Sequence, residues 1–130
     1  ELWKLVYDQL SVRHQLDNII WVWTANTSNL QDSNIKNWYP GKKYVDLVNI
    51  TPYGSTQNTT ELFKRLYSST AGSHMLTLTS PFTLPDPDKT QINGDIWLYF
   101  NAYAPQDNEY NSTEYWNYIM NHENTITTNP

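Results

Sequence analysis

The stretch NIIWVW at residues 18–23 decides the fold class of this 130-residue chain. It is a short apolar run of β-branched and aromatic residues. Such a run is typical of a strand that is buried on both faces, as in a parallel sheet. Three later stretches are predicted to form strands as well: YVDLVNI at 44–50, MLTLT at 75–79 and IWLYFNAY at 96–103.

Helical patterns separate the predicted strands. Helices are predicted over residues 1–14, 58–69 and 112–122. In the first helix, apolar residues four apart form the stripe that we expect to be buried: Leu2, Val6 and Leu10, with Leu5 beside them and with Trp3 and Tyr7 widening the stripe. The second helix has Thr59 or Thr60 as its expected N-cap. Residues 24–43 and the proline-rich stretch after residue 79 are predicted to be loops. Strands that alternate with helices or long loops favour a parallel α/β fold, and the length suits one domain over residues 1–130.

Composition excludes several classes of function. The formal net charge is -5, whereas a nucleic-acid-binding protein normally carries a basic face. No apolar run approaches the ~20 residues of a membrane-spanning helix. The chain has no cysteine, which excludes disulfides and thiolate metal sites. His14, His74 and His122 lie far apart without metal-ligand spacing, so neither a metal nor another cofactor is predicted.

The carboxylates closest together in sequence do not predict a catalytic pair. Asp86 and Asp88 flank a proline, and Asp107 lies two residues before Glu109. Both pairs occur in polar or proline-rich stretches, where solvated loop residues are expected. A pair that performs acid/base chemistry on a sugar would come from the ends of different strands.

The sequence contains four N-glycosylation sequons, which begin at Asn26, Asn49, Asn58 and Asn111. Asn49 falls within a predicted strand and is therefore not expected to carry a glycan. The candidates are Asn26, Asn58 and Asn111. They favour a secreted protein or one on the extracellular surface.

Aromatic residues point towards carbohydrate. Trp23, Tyr53 and Tyr103 each fall at or just after the carboxyl end of a predicted strand. In a β/α barrel that end of the strands holds the ligand. Flat rings with polar atoms suit the apolar C–H patches and hydroxyls of sugars. The alternative is that these rings belong to the hydrophobic core.

Several segments resemble the glycoside hydrolases of family 26. The early ones are LWKLVYD at 2–8, LDNIIWVW at 16–23, WYPG at 38–41 and YVDLV at 44–48. The later ones are LPDPD at 84–88, WLYF at 97–100, MNH at 120–122 and TIT at 125–127. The resemblance implies an α/β fold of the (β/α)8 TIM-barrel type, of which this chain covers roughly strands 5 to 8. It also implies a retaining β-mannanase as the ancestral activity.

The chain departs from the family pattern at the positions that perform catalysis. The resemblance places Ser80 where the family has its nucleophilic glutamate, and no glutamate lies between Glu61 and Glu109. The family's acid/base glutamate follows strand 4, upstream of Glu1. Among the substrate positions, Tyr53 and Asn26 match family residues. Three others differ, because Asn49, Thr51 and Tyr103 replace a glycine, an aspartate and a tryptophan.

These departures favour a catalytically degenerate mannanase-like domain, a glycan-binding or structural module of a secreted or surface glycoprotein. The glycan would contact Trp23, Asn26, Tyr53 and Tyr103. One alternative is an active fragment of an endo-β-1,4-mannanase, and another is a purely structural subunit of an extracellular assembly. The expected partners are a mannan-like polysaccharide or oligosaccharide, and either the missing N-terminal half-barrel or a second copy of the chain. Neither nucleic acid nor a membrane is expected as a partner.

Overall fold

The computed structural model describes residues 1–26, 32–52, 58–79, 81, 83–102 and 110–127. Helix α1 (Leu2–Tyr7) continues as a π-helical segment (Asp8–Arg13). Strand β1 (Val22–Asn26) is followed by α2 (Asp32–Trp38), a 3-10 turn (Lys42–Tyr44) and β2 (Leu47–Thr51). The remaining elements are α3 (Thr59–Ser69), β3 (Met75–Thr79), α4 (Pro87–Asn93), β4 (Phe100–Asn101) and α5 (Thr113–Met120). In this part of the chain no helix is both long and apolar enough to cross a membrane.

The four described strands form one parallel sheet in the order β1-β2-β3-β4. Each strand therefore lies beside the one that follows it in sequence, with helical connections between them. This arrangement is that of a segment of a β/α barrel, in which every strand is parallel to its neighbours. The predicted parallel α/β fold is confirmed.

One face of the sheet is apolar and helix-covered. Trp23 and Ala25 of β1, with the alternate residues of β2 and β3, form a single buried cluster with side chains from two helices: Ile35 of α2, and Leu62 and Leu66 of α3. The opposite face carries polar residues that pair in register: Thr24 with Asn49, and Asn49 with Thr77. After an apolar first residue in each strand (Val22, Leu47 and Met75), β1, β2 and β3 alternate between apolar residues on the helix-covered face and polar residues on the other face.

Strand β1 begins four residues later than predicted. Backbone pairing with β2 starts at Trp21, whose carbonyl accepts from Leu47 N at 3.1 Å. The N–H of Trp21 donates to a side chain, Asp46 Oδ2, at 2.8 Å. Ile20 precedes this point and is 70% exposed. The apolar run misled the prediction because Ile19 and Ile20 look like strand residues but lie before the first backbone pairing.

Two helices lie within segments that were predicted to be loops. Helix α2 is in residues 24–43, and α4 follows the prolines after β3. Asp86 is the N-cap of α4, with its Oδ1 accepting from the backbone N–H groups of Asp88 and Lys89. Pro87 is the first residue of the helix, and Gly94 ends it in a left-handed conformation (φ 73°). The sequence did contain this signal, because an Asp-Pro start and a glycine stop delimit a helix.

The N-cap of α3 also differs from the prediction. The cap is Asn58 rather than Thr59 or Thr60, and its Oδ1 accepts from Thr60 N at 3.0 Å and from Glu61 N at 3.4 Å. Asparagine is among the strongest N-caps because its short side chain reaches the unpaired N–H groups of the first turn. Strand β3 has the predicted bounds, and α5 lies within the predicted helix.

Helix α1 is present, and its predicted apolar stripe is right for Trp3 and Tyr7 but wrong for Leu2, Leu5 and Val6. Leu2 is 75% exposed, and Leu5 and Val6 are exposed as well. The helix packs instead through its aromatic side: Trp3 Nε1 donates to the Tyr44 carbonyl at 2.8 Å, and the Tyr7 ring lies 5.2 Å from Trp21. The leucine side of α1 consequently forms an apolar strip without cover from the described residues.

Candidate functional site

The carboxyl ends of the described strands meet at one edge of the sheet, which we call the carboxyl edge. Its terminal residues are Asn26, Thr51, Thr79 and Asn101. Asn26 pairs with Thr51, and Thr79 pairs with Asn101. In parallel α/β folds ligands bind at this edge, because the loops that follow the strands surround it. All four terminal residues carry an amide or a hydroxyl, and none carries a carboxylate.

A buried hydrogen-bond network supports the carboxyl edge from within the sheet. The Asn49 side chain is only 4% exposed. Its Oδ1 accepts from the hydroxyls of Thr77 at 2.8 Å and Thr79 at 2.9 Å, and its Nδ2 donates to Thr24 Oγ1 at 3.3 Å. One amide therefore links three strands through side chains. The bond to Thr79 fixes the last residue of β3, which lies one position beyond the last β2–β3 pair, Ile50 with Leu78.

Sequence reasoning missed this network, although a signal was present. Asn49 and Thr51 alternate on one predicted strand, and Thr77 and Thr79 alternate on the next. Two such patterns on neighbouring parallel strands place polar side chains on the same face of the sheet. Buried amides and hydroxyls must then satisfy each other, because an unpaired polar group in the interior is costly.

Trp23 does not lie where it was predicted. It is the second residue of β1 rather than the last, since the strand begins at Val22. Its ring is 8% exposed and packs edge-on at 5.4 Å against Tyr39, within the hydrophobic core. A ring with so little exposed area has no surface on which a sugar could stack. Trp23 therefore agrees with the alternative that its ring belongs to the hydrophobic core.

The other predicted site residues are placed only in part. Asn26 ends β1 and so reaches the carboxyl edge. Ser80, Tyr53 and Tyr103 lie outside the described residues. Their roles remain predictions.

The sequon asparagines differ in what their side chains do. Asn58 is exposed and uses its Oδ1 to cap α3. Asn111 is buried, and its Oδ1 accepts from the backbone N–H of Leu84 at 2.9 Å. Asn49 is also buried, in the network described above. The geometry therefore suits a glycan on Asn58 and disfavours one on Asn111.

Asp86 and Asp88 are structural rather than a catalytic pair. Burial acts to raise the pKa of Asp86, but hydrogen bonds from the Lys89 backbone and ammonium outweigh it, so the pKa of Asp86 is lowered. Asp88 accepts from the Tyr118 hydroxyl at 2.7 Å and lies 3.2 Å from His122 Nε2. The hydrogen bond to Asp88 raises the pKa of Tyr118. Both carboxylates thus join α4 to α5 through hydrogen bonds from Tyr118.

The histidines show no metal-site geometry. His74 packs against the Tyr39 ring at 6.2 Å, and partial burial followed by the nearby Lys42 charge lowers its pKa. Within the described part of the chain, His122 contacts one carboxylate, that of Asp88. Across the described ranges, no group of three His, Cys, Asp or Glu side chains could hold a metal ion.

The Asn49 network gives a stability prediction. Asn49→Ala leaves the buried Thr77 hydroxyl without its acceptor, and we expect it to lower the free energy of unfolding by about 2–3 kcal/mol. Thr77→Val, which has the same shape without the hydroxyl, should reduce the cost of Asn49→Ala by about 1 kcal/mol. Urea unfolding of both single variants and the double variant measures this coupling. Strictly additive losses would contradict the network.

Comparison with known proteins identifies the family. The family model for Glycosyl hydrolase family 26 matches residues 1–130, the whole chain. The mannan endo-1,4-beta-mannosidase of Thermothelomyces thermophilus is 29% identical over 90% of this chain and 22% of its own length. That of Bacillus subtilis is 27% identical over 78% of this chain and 25% of its own length. The chain thus spans about a quarter of the length of these curated relatives.

Solved structures agree with the sequence comparison. The Podospora anserina GH26-CBM35 beta-(1,4)-mannanase superposes with a TM-score of 0.78 and 25% identity, over 96% of this chain and 27% of that one. GH26A from Muricauda sp. MAR_2010_75 gives a TM-score of 0.73 and 29% identity, over 97% of this chain and 42% of that one. The parallel sheet is therefore a fragment of a TIM barrel with a mannanase-like sequence, and the chain belongs to glycosyl hydrolase family 26.

Proposed function

We propose that this chain is a β-mannan-binding domain that has lost hydrolysis. The proposal is supported by the resemblance, which implies that Ser80 takes the position of the family's nucleophilic glutamate, and by the absence of any glutamate from residue 62 to residue 108. Retaining glycosidases need two carboxyl groups about 5–5.5 Å apart. A serine hydroxyl is a poor nucleophile unless an adjacent base activates it.

The carboxyl edge supports binding of a neutral polymer. Its described strand ends offer hydroxyls and amides, which exchange hydrogen bonds readily with sugar hydroxyls. Tyr53 and Tyr103 are the proposed stacking platforms, and Asn26 a proposed polar contact. The curated relatives act on mannan by name, and this polysaccharide is the proposed ligand.

We expect the intact polypeptide that contains this chain to bind β-1,4-mannohexaose without cleaving it. Calorimetry measures the binding, and chromatography of the same mixture detects cleavage products. A Ser80→Ala variant should bind with the same affinity. Product release by the wild-type protein above that of Ser80→Ala would revive the alternative of an active mannanase.

The binding site itself can be tested with aromatic variants. Tyr103→Ala should weaken mannohexaose binding by about 1–2 kcal/mol, the cost of a lost aromatic contact with its buried area. Trp38→Ala is a suitable control, because Trp38 lies on α2 and is 71% exposed. Failure of the wild-type protein to bind any mannan oligosaccharide would favour the structural-subunit alternative.

We further infer that the sheet is completed by other strands. Exposed apolar side chains occur on the first two helical segments and on residues 14–21, which follow them. They are Leu2, Leu5, Val12, Leu16 and Ile20. Strands β1 and β4 also each have one side without a partner strand in the described sheet. Unpaired strand edges beside apolar surface favour pairing with further strands. The proposed partner is a preceding half-barrel of the same protein, with a second copy as the alternative.

Sedimentation of the 130-residue chain by itself tests this inference. We expect a mass above the 15.3 kDa of one chain, or loss of solubility, because exposed apolar surface favours association with other molecules. Adding the preceding half-barrel should restore a soluble one-to-one complex. A stable monomer with a cooperative melt would contradict the inference.

The proposed secreted location gives a separate prediction about glycosylation. In a eukaryotic secretory host we expect a glycan on Asn58, whose exposed amide nitrogen is free to carry it while Oδ1 keeps the cap. Asn111 should remain unmodified in the folded product, because its buried amide has no room for a sugar. Asn58→Asp keeps a cap acceptor and should remove the glycan mass. Secreted protein that is modified at Asn111 but not at Asn58 would contradict this prediction.

A further inference from the structure

The segment at residues 83–88 follows the carboxyl end of β3 and is held by residues far along the chain. Leu84 is buried, and both of its backbone polar groups are engaged by side chains. Its N–H donates to Asn111 Oδ1 at 2.9 Å, and its carbonyl accepts from the Tyr115 hydroxyl at 3.1 Å. A buried loop backbone requires such partners, because no strand supplies them here.

Further side-chain contacts hold the end of the segment, at the start of α4. The Tyr118 hydroxyl lies 2.7 Å from Asp88 Oδ2 and 3.3 Å from Asp86 Oδ1. His122 Nε2 lies 3.2 Å from Asp88 Oδ1. The four gripping residues are Asn111, Tyr115, Tyr118 and His122. Their spacings of four, three and four place them along one side of α5 and its flanks.

Strand pairing does not hold residues 83–88 in place. Among the described residues, β3 pairs with β4 at Leu78 with Phe100 and at Thr79 with Asn101, and further backbone bonds join Leu76 to Leu98 and Leu78 to Tyr99. Residues 83–88 belong to no strand ladder. Their position relative to the carboxyl edge therefore depends on side-chain contacts, and the described contacts come mainly from the α5 side.

We propose that Asn111, Tyr115, Tyr118 and His122 form a clamp that positions residues 83–88 as one wall of the glycan site. Loops after the carboxyl ends of barrel strands line the ligand site, and this segment comprises residues 83–86 of the loop after β3 and the first two residues of α4. The four residues act through the segment and are positioning residues. The glycan part of this inference rests on the proposed mannan-binding function, whereas the clamp does not.

The test removes a single hydroxyl from the clamp in the intact polypeptide. Tyr115→Phe deletes the donor to the Leu84 carbonyl and keeps the ring in place. We expect hydrogen exchange at the Leu84 amide to become about 10-fold faster, and the mannohexaose dissociation constant to rise about 3- to 10-fold, the range of one net hydrogen bond. Tyr67→Phe is the matched control, since it deletes the same atom from an exposed tyrosine on α3.

A second variant separates positioning from general destabilisation. Asn111→Leu removes the acceptor for the Leu84 N–H, and we expect it to accelerate Leu84 exchange while the amides of β2 stay protected. Exchange that accelerates equally in β2 and at Leu84 would show a loss of the whole fold and would overturn a local clamp. Unchanged Leu84 exchange in Tyr115→Phe would overturn it as well.

The two measurements distinguish the clamp from the function that it serves. Faster Leu84 exchange with unchanged affinity would overturn the positioning role, because the segment would then not be part of the site. Wild-type protein that binds no mannohexaose would overturn both the mannan-binding function and the wall assigned to it. The exchange rates would still decide whether the clamp holds the segment.

Discussion

The structure depends on strand β2, which lies between β1 and β3 and has two opposite environments. Val48 and Ile50 on one face are fully buried in the hydrophobic core against the helices. Asn49, on the other face, bonds to threonines of both neighbouring strands. Apolar burial supplies most of the driving force for packing helices on the sheet, whereas the amide fixes how the strands lie relative to each other. The alternation in β2 thus gives this parallel sheet one apolar side and one polar side.

Two sequons of the chain have a structural explanation that does not involve glycans. Asn58 is the N-cap of α3, and the Thr60 hydroxyl of the same sequon donates to the buried Asp95 at 2.8 Å. In the last sequon, Ser112 is the N-cap of α5 and Asn111 holds Leu84. Asn, Ser and Thr are the residues that cap helices, so a chain with many capped helices produces sequons as a by-product. Sequons in such a chain are weak evidence of secretion.

The sequence predicted the fold class because its predicted strands alternate with helices or long loops, but it predicted the surroundings of the site less well. The bounds of β3 agree because Met75 and Thr79 delimit a short β-branched and apolar alternation after a turn. The predicted bounds of β1 were wrong, because a run of consecutive apolar residues does not show where backbone pairing starts or ends. That error moved Trp23 from the core to the predicted ligand edge. Cross-strand contacts such as that between Asn49 and Thr79 need the register of two strands at once, and single-strand patterns do not supply it.

The chemistry of the carboxyl edge follows from which polar groups it retains. Its described strand ends are amides and hydroxyls, and the buried side chains of Asn49 and Thr77 lie two residues before the ends of β2 and β3. Such groups keep one protonation state at neutral pH, so they suit directional hydrogen bonds with neutral hydroxyl groups, and the acid and base of a glycoside hydrolysis would have to come from other residues. The side chain of Asn49 also fills interior space at a position where the resemblance implies a glycine. In the proposed loss of hydrolysis, Asn49 and Ser80 would therefore act together, because each replaces a residue that the resemblance implies.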